Sequence, residues 1–156
     1  MKRRSLLVSL FLLPMIGTVA ADEHVVQAIA TRGFESMLFE PDFLQVAPGD
    51  TVTFQVDDFD HQPQSAFIPT GATPWRAEKG KSITVKLAEP GVYVFDCAYH
   101  NVMGMAGVIV VGEPRNVDEA REFFSRYRDE TVFIDKDRLD HIWDPKTGAL
   151  AALPQS

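Results

Sequence analysis

The sequence predicts an all-β fold, a Greek-key sandwich of about eight strands, followed by one or two C-terminal helices. Three observations predict it: short stretches that alternate polar and apolar residues, Pro-Gly steps placed just before such stretches, and a change to helical spacing after Gly112.

Taken in order, residues 1–21 come first and contain no acidic side chain. They hold Lys2, Arg3 and Arg4, an apolar run from Leu6 to Ile16, and the small-residue stretch Thr18-Val19-Ala20-Ala21. This is the layout of a secretory signal peptide, and its apolar run is too short for a permanent membrane anchor. Cleavage before Asp22 leaves 135 of the 156 residues, and loss of the three basic side chains takes the formal charge from −7 to −10. Such acidity argues against nucleic acid or anionic membranes as partners. The expected product is an exported protein without stable membrane association.

The mature chain opens with two extended stretches, His24 to Ala30 and Met37 to Val46, the second broken by Pro41. From Asp50 to Val56 the pattern alternates, so Val52, Phe54 and Val56 share one strand face. Ser82 to Leu87 repeats it with Ile83, Val85 and Leu87 inward. Gly91 to Cys97 and Gly107 to Val111 are denser in apolar residues, as expected of strands covered on both faces. Pro48-Gly49 and Pro90-Gly91 are turn signals, because proline presets φ and glycine supplies positive φ. Seven or eight short strands therefore lie within residues 22–112, at the spacing of a sandwich. After Gly112, Asn116 stands three residues before Glu119, as an N-cap would. Ala120, Phe123, Phe124 and Tyr127 then recur at helical spacing, which predicts a helix over Val117 to Arg128 with an aromatic face on the sandwich. A second short helix is expected over Lys136 to Trp143, and the last ten residues read as a loose tail. Residues 113–156 are thus a helical extension packed on the same domain.

Chemistry concentrates in one loop. The chain has one cysteine, so no intrachain disulfide exists, and four histidines, His24, His61, His100 and His141, enough for one small site. Between two apolar strands, Cys97-Ala98-Tyr99-His100-Asn101-Val102-Met103-Gly104-Met105 gathers a thiolate, an imidazole and two thioethers. His61 follows the Val52–Val56 strand. Two imidazole nitrogens, one thiolate and a weak axial thioether form the ligand set of a blue-copper electron-transfer centre. A Cys97–His100 hydrolase lacks an orienting asparagine or an oxyanion motif nearby, and structural zinc does not use thioether. Taken alone, His24 and His141 read as packing or surface residues.

Met37-Leu38-Phe39-Glu40-Pro41, Pro48-Gly49-Asp50-Thr51-Val52-Thr53-Phe54, Phe67-Ile68-Pro69, Pro90-Gly91-Val92-Tyr93 and the Cys97–Met105 loop resemble the pseudoazurins, small periplasmic cupredoxins. The resemblance spans roughly Met37 to Gly112. It implies a one-electron carrier with one type 1 copper, held by His61, Cys97 and His100 with Met105 axial. Cys-x2-His-x2-Met, ending at Met103, is similar to amicyanins. Cys-x2-His-x4-Met and the Met-Gly-Met triplet are similar to pseudoazurins, in which the second methionine is the ligand. It also implies electron exit through His100, framed by Val102 and Met103, with Met37 near the copper. The partners implied are periplasmic reductases of nitrogen oxides or related redox enzymes, with a cytochrome or a different reductase expected where the docking charge is reversed. A copper-delivery protein using the same ligands is the alternative.

The chain departs from that family at five positions. Ala98 and Tyr99 replace a hydroxyl residue and proline, and Gln62 replaces asparagine after the first histidine, so the tie between the two ligand loops must be rebuilt. Tyr99 keeps an N–H that, if it reached Cys97 sulfur, would raise the reduction potential. Asp96 and Phe59 stand where the family carries lysines. By strand alternation Asp96 faces away from Cys97 and is expected in solvent, reversing the sign of the docking surface in favour of a partner with a basic patch.

Overall fold

The computed structural model describes residues 20–144 and 148–153; the basic and apolar parts of the expected signal peptide lie outside the described residues. Among the described residues eight strands form two four-stranded sheets. They are β1 (Glu23–Arg32), β2 (Glu35–Glu40), β3 (Phe43–Val46), β4 (Thr51–Val56), β5 (Pro63–Phe67), β6 (Ile83–Lys86), β7 (Gly91–Cys97) and β8 (Ala106–Val111). One sheet runs β2-β1-β4-β6 and the other β3-β8-β7-β5. β1/β4 and β3/β8 pair in parallel, and the other neighbours are antiparallel. Pro41 separates β2 from β3 as expected, and the chain changes sheet there. β5 is a strand the pattern did not reveal. It has four polar or small residues among five, and its pairing with β7, not its own periodicity, holds it.

Alternation along β7 organises the interior. Tyr93, Phe95 and Cys97 point into the space between the sheets, with Phe39, Phe54, Ile109 and Met105. Phe95 packs edge-on to Phe39 and Phe54, with ring centroids 5.1 and 4.9 Å apart, a geometry that adds about 1 kcal/mol per pair beyond area burial. Val92 and Val94 point the other way, into a second apolar layer under α1 (Val117–Glu130), with Val108, Val110, Ala120, Phe124 and Tyr127. Both faces of β7 and β8 are covered, which is why they read as continuous apolar runs. In β8, Gly107 leaves room for the Phe95 ring and the Asp42 carbonyl, where any Cβ would collide.

The C-terminal extension differs from expectation in two details. Asn116 does not cap α1 with its side chain. Its amide instead brackets Val92, accepting from Val92 N at 2.7 Å and donating to Val92 O at 3.0 Å. The incoming sheet strand outcompetes the helix terminus for that side chain. Lys136–Leu139 forms a 3₁₀ turn that continues into α2 (Asp140–Trp143). The tail is not uniformly loose: Ala149–Ala152 is a 3₁₀ turn, Leu150 is buried in the second layer, and Arg121 Nη2 donates to Leu150 O at 2.9 Å. Pro145 and residues 154–156 lie outside the described residues.

Candidate metal centre

β5 starts opposite the end of β7, Pro63 pairing with Cys97, and this brings the segment around His61 to the cysteine. Five residues after Val56 the chain reaches His61, which is fully buried. β7 ends on Cys97, also fully buried, because its inward register continues that of Tyr93 and Phe95. The loop to β8 then closes on itself. His100 N donates to Cys97 O at 3.1 Å, Met103 N to His100 O at 2.9 Å, Met105 N to His100 O at 3.3 Å, and Cys97 N to Met105 O at 3.0 Å. Asn101–Met103 is one 3₁₀ turn, stopped by Gly104 in the left-handed region at φ 74°.

One ligating atom each from His61, Cys97 and His100 lies within 4.8 Å of the others. Both rings turn Nδ1 to the sulfur, at 3.9 Å for His61 and 3.6 Å for His100. Their planes stand at 73° with centroids 5.2 Å apart. Burial holds the His61 imidazole below its ordinary pKa, opposed by Asp58, and a neutral ring is the form that ligates. Met105 is fully buried in the same inter-sheet cluster as Cys97, whereas Met103 is half-buried. Two imidazoles converging on one buried thiol, beside a buried thioether, fit copper in both oxidation states. Among the described residues no second group of three such side chains is assembled.

The tie between the loops is rebuilt through Gln62. Its N–H donates to Cys97 Sγ at 3.4 Å, its carbonyl accepts from Ala98 N at 3.0 Å, and its side chain bridges Ala77 O and Arg76. The recorded donor to the sulfur is therefore Gln62, not Tyr99, whose exposed ring lies under Lys79 Nζ at 4.7 Å. Backbone pairing supplies what the hydroxyl and asparagine side chains would have done.

Asp96 requires correction. It faces away from Cys97 as expected, but it is 2% exposed and not in solvent. Helix α1 covers that face of β7, and sequence periodicity within the strand carried no sign of the lid. Asp96 Oδ1 accepts from Gln64 Nε2 at 2.8 Å and Oδ2 from the Tyr127 hydroxyl at 3.0 Å. Burial lifts its carboxyl above the usual range, against stabilising hydrogen bonds from Gln64, Tyr127 and Asn101. The same burial, with the carboxylate opposite, pushes the Tyr127 phenol far upward, so it remains a donor.

Three residues near the centre escaped sequence reasoning. Arg138, on the turn before α2, donates to Met37 O at 2.8 Å and Met103 O at 3.4 Å. It joins β2, the ligand loop and the extension. Phe133 N and Ile134 N both donate to Val102 O, at 2.8 and 3.1 Å. Phe133 is 71% and Ile134 50% exposed. An apolar pair between two helices, left outside both helical faces, was the available signal. His24 pairs with Asp50 and His141 with Asp42, away from the centre.

A sandwich with this His61–Cys97–His100 convergence is a cupredoxin, the class of type 1 copper electron-transfer proteins. A family model described as copper binding proteins, plastocyanin/azurin family, matches residues 26–112. A putative pseudoazurin of Rhizobium leguminosarum bv. viciae is 36% identical over 110 residues, covering 69% of this chain and 72% of that one. The pseudoazurin of Paracoccus pantotrophus is 33% identical over 104 residues, covering 65% and 72%. The crystal structure of native pseudoazurin from Hyphomicrobium denitrificans superposes with a TM-score of 0.65 at 30% identity, covering 85% of this chain and 99% of the other. The chain belongs to the plastocyanin/azurin family of copper-binding proteins, in its pseudoazurin branch.

Proposed function

We propose that this electron-transfer protein works in the periplasm as a diffusible monomeric carrier, not an enzyme, after loss of residues 1–21. Residues 22–112 form its copper-bearing sandwich and residues 113–156 its extension. His61, Cys97 and His100 are the trigonal ligands and Met105 the axial one. The observation that carries the reading is the convergence of two Nδ1 atoms on a fully buried sulfur. Bound copper supplies a one-electron couple. The chain's part is to hold the donors where neither oxidation state demands rearrangement, and the hydrogen-bonded 97–105 loop serves that end.

His100 is the exit, since it is part-exposed where His61 is sealed. Met103 and exposed Val102 flank it, Tyr99 stands beside them, and Phe133 and Ile134 extend the apolar surface from the other side of Val102. Met37 enters that surface through Arg138, which holds its carbonyl together with that of Met103. Asp96 adds nothing to the docking charge. The acidity comes instead from Asp57, Asp58 and Asp60 before His61, and from Asp135 after Ile134, and it suits a redox protein with a basic rim.

The test is spectroscopic and kinetic. Copper-loaded protein is expected to show an intense thiolate-to-copper band and fast, reversible voltammetry. Labile copper with sluggish cycling would point to copper delivery instead. Transfer rates to the physiological partner are expected to fall with added salt, and a rise would overturn the basic-rim assignment.

A further inference from the structure

We propose that the mature N-terminus is a second Cu(II) site, built from the Asp22 α-amine, the peptide nitrogens of Glu23 and His24, and His24 Nδ1. The inference rests on the reading above that export removes residues 1–21, which makes Asp22-Glu23-His24 the first three residues. A free amine with histidine in third position is a general chelate for Cu(II) and Ni(II). Amine, two deprotonated peptide nitrogens and imidazole Nδ1 close three fused rings in one plane, the tetragonal nitrogen geometry those ions favour. Neither Glu23 nor His24 is proline, so both peptide nitrogens carry the proton that must leave. Binding releases one ammonium and two peptide protons. The two amide anions neutralise the ion's two charges, and no electron moves.

The folded chain has prepared the histidine. Nε2 of His24 lies 3.0 Å from Asp50 Oδ2, and Nδ1 has no partner among the described residues. The ring is therefore held by the nitrogen the chelate does not use. A carboxylate on the outer nitrogen of a ligating histidine orients the ring and raises its basicity. Asp50 is nearly buried, and its other oxygen accepts from Asp22 N at 2.9 Å, the atom that becomes the α-amine after cleavage. Asp22, His24 and Asp50 line an open cleft of about 410 Å³ with Gln45, Ala47 and Leu153.

The cost to the fold is local. Asp22 O accepts from Thr51 N at 3.0 Å, and the β1–β4 ladder begins at Glu23 opposite Thr51. Drawing the Glu23 and His24 nitrogens onto an ion unpairs that first rung. β2 joins β1 only from Gln27 onward, so the strand beyond is held from both sides and stays in place. Thr51 starts β4, whereas His61 follows its far end, so the two sites occupy opposite ends of the sandwich.

The test uses the precursor expressed in a host that exports it. The purified mature protein is first loaded at the cysteine centre, then titrated with Cu(II) and, separately, Ni(II). Intact mass identifies the first residue. The expected result is a chain starting at Asp22 that takes a second equivalent, with the square-planar nitrogen signature in electron paramagnetic resonance. His24→Ala, and a variant with one glycine inserted before Asp22, are expected to lose that equivalent. Both should keep the blue band and the reduction potential. A mass starting at any other residue overturns the proposal through its premise. A chain that starts at Asp22 and takes no second equivalent overturns the chemistry, as does undiminished uptake by the glycine variant.

Discussion

Replacing Tyr127 with phenylalanine isolates the interaction that ties the extension to the copper strand. The hydroxyl donates at 3.0 Å to Asp96 Oδ2, and Asp96 is 2% exposed. The ring remains, and with it the packing on Phe123 and Phe124 at centroid distances of 5.8 and 5.9 Å, so no cavity opens. What is lost is one donor to a buried carboxylate, which costs about 1–3 kcal/mol. For a domain of this size that corresponds to a Tm lower by about 4–12 °C. Urea unfolding and calorimetry of the apo protein measure it without the added stabilisation of bound metal. Asp96→Asn makes the companion variant. Its amide oxygen still accepts from Tyr127, and Gln64 turned about its amide can accept from the new NH2, so the loss is expected to be smaller. A Tyr127→Phe loss under about 0.5 kcal/mol with unchanged m value would mean that Asp96 keeps its water and that α1 does not seal it.

Three further outcomes are expected. Met105→Ala should alter the copper spectrum and, because the side chain is fully buried, cost the apo protein about 2–5 kcal/mol, while half-buried Met103→Ala leaves the spectrum unchanged. Arg138→Ala frees the carbonyls of Met37 and Met103; it should cost about 1–3 kcal/mol in urea unfolding and shift the reduction potential, with Arg138→Lys intermediate. Asp50 is held below its ordinary pKa by hydrogen bonds from Asp22 N, His24 and Ala47 N. Its contribution is therefore complete above the unfolded value near pH 4 and fades as pH falls through the lower folded value. Acid unfolding of Asp50→Asn should be flatter below about pH 4 than that of the parent protein.

The extent to which sequence anticipated structure differs between the two sides of β7. Phe54 and Val85 were legible as inward residues, since a two-residue period is a local property of extended chain. The continuous apolar runs of β7 and β8 instead left the inward set of Tyr93, Phe95 and Ile109 to the tertiary structure. The candidate ligands were legible in part for a related reason: Cys97 and His100 share one short loop, whereas His61 and the choice of Met105 over Met103 rested on the resemblance to pseudoazurins. Asp96 was misjudged because its environment is supplied by Tyr127, 31 residues away. Asn116 was misjudged because Val92, 24 residues back, offered its backbone. β5 has no pattern of its own to read.

By itself, then, the sequence determined the sandwich, the helical extension and the chemistry of the metal centre, all of which follow from residue type and short-range spacing. Tertiary structure alone decided what the helix covers. It buried a carboxylate beside the cysteine and put Phe133, Ile134 and Arg138 against the ligand loop. These are contacts between segments distant in the chain, and no local period records them.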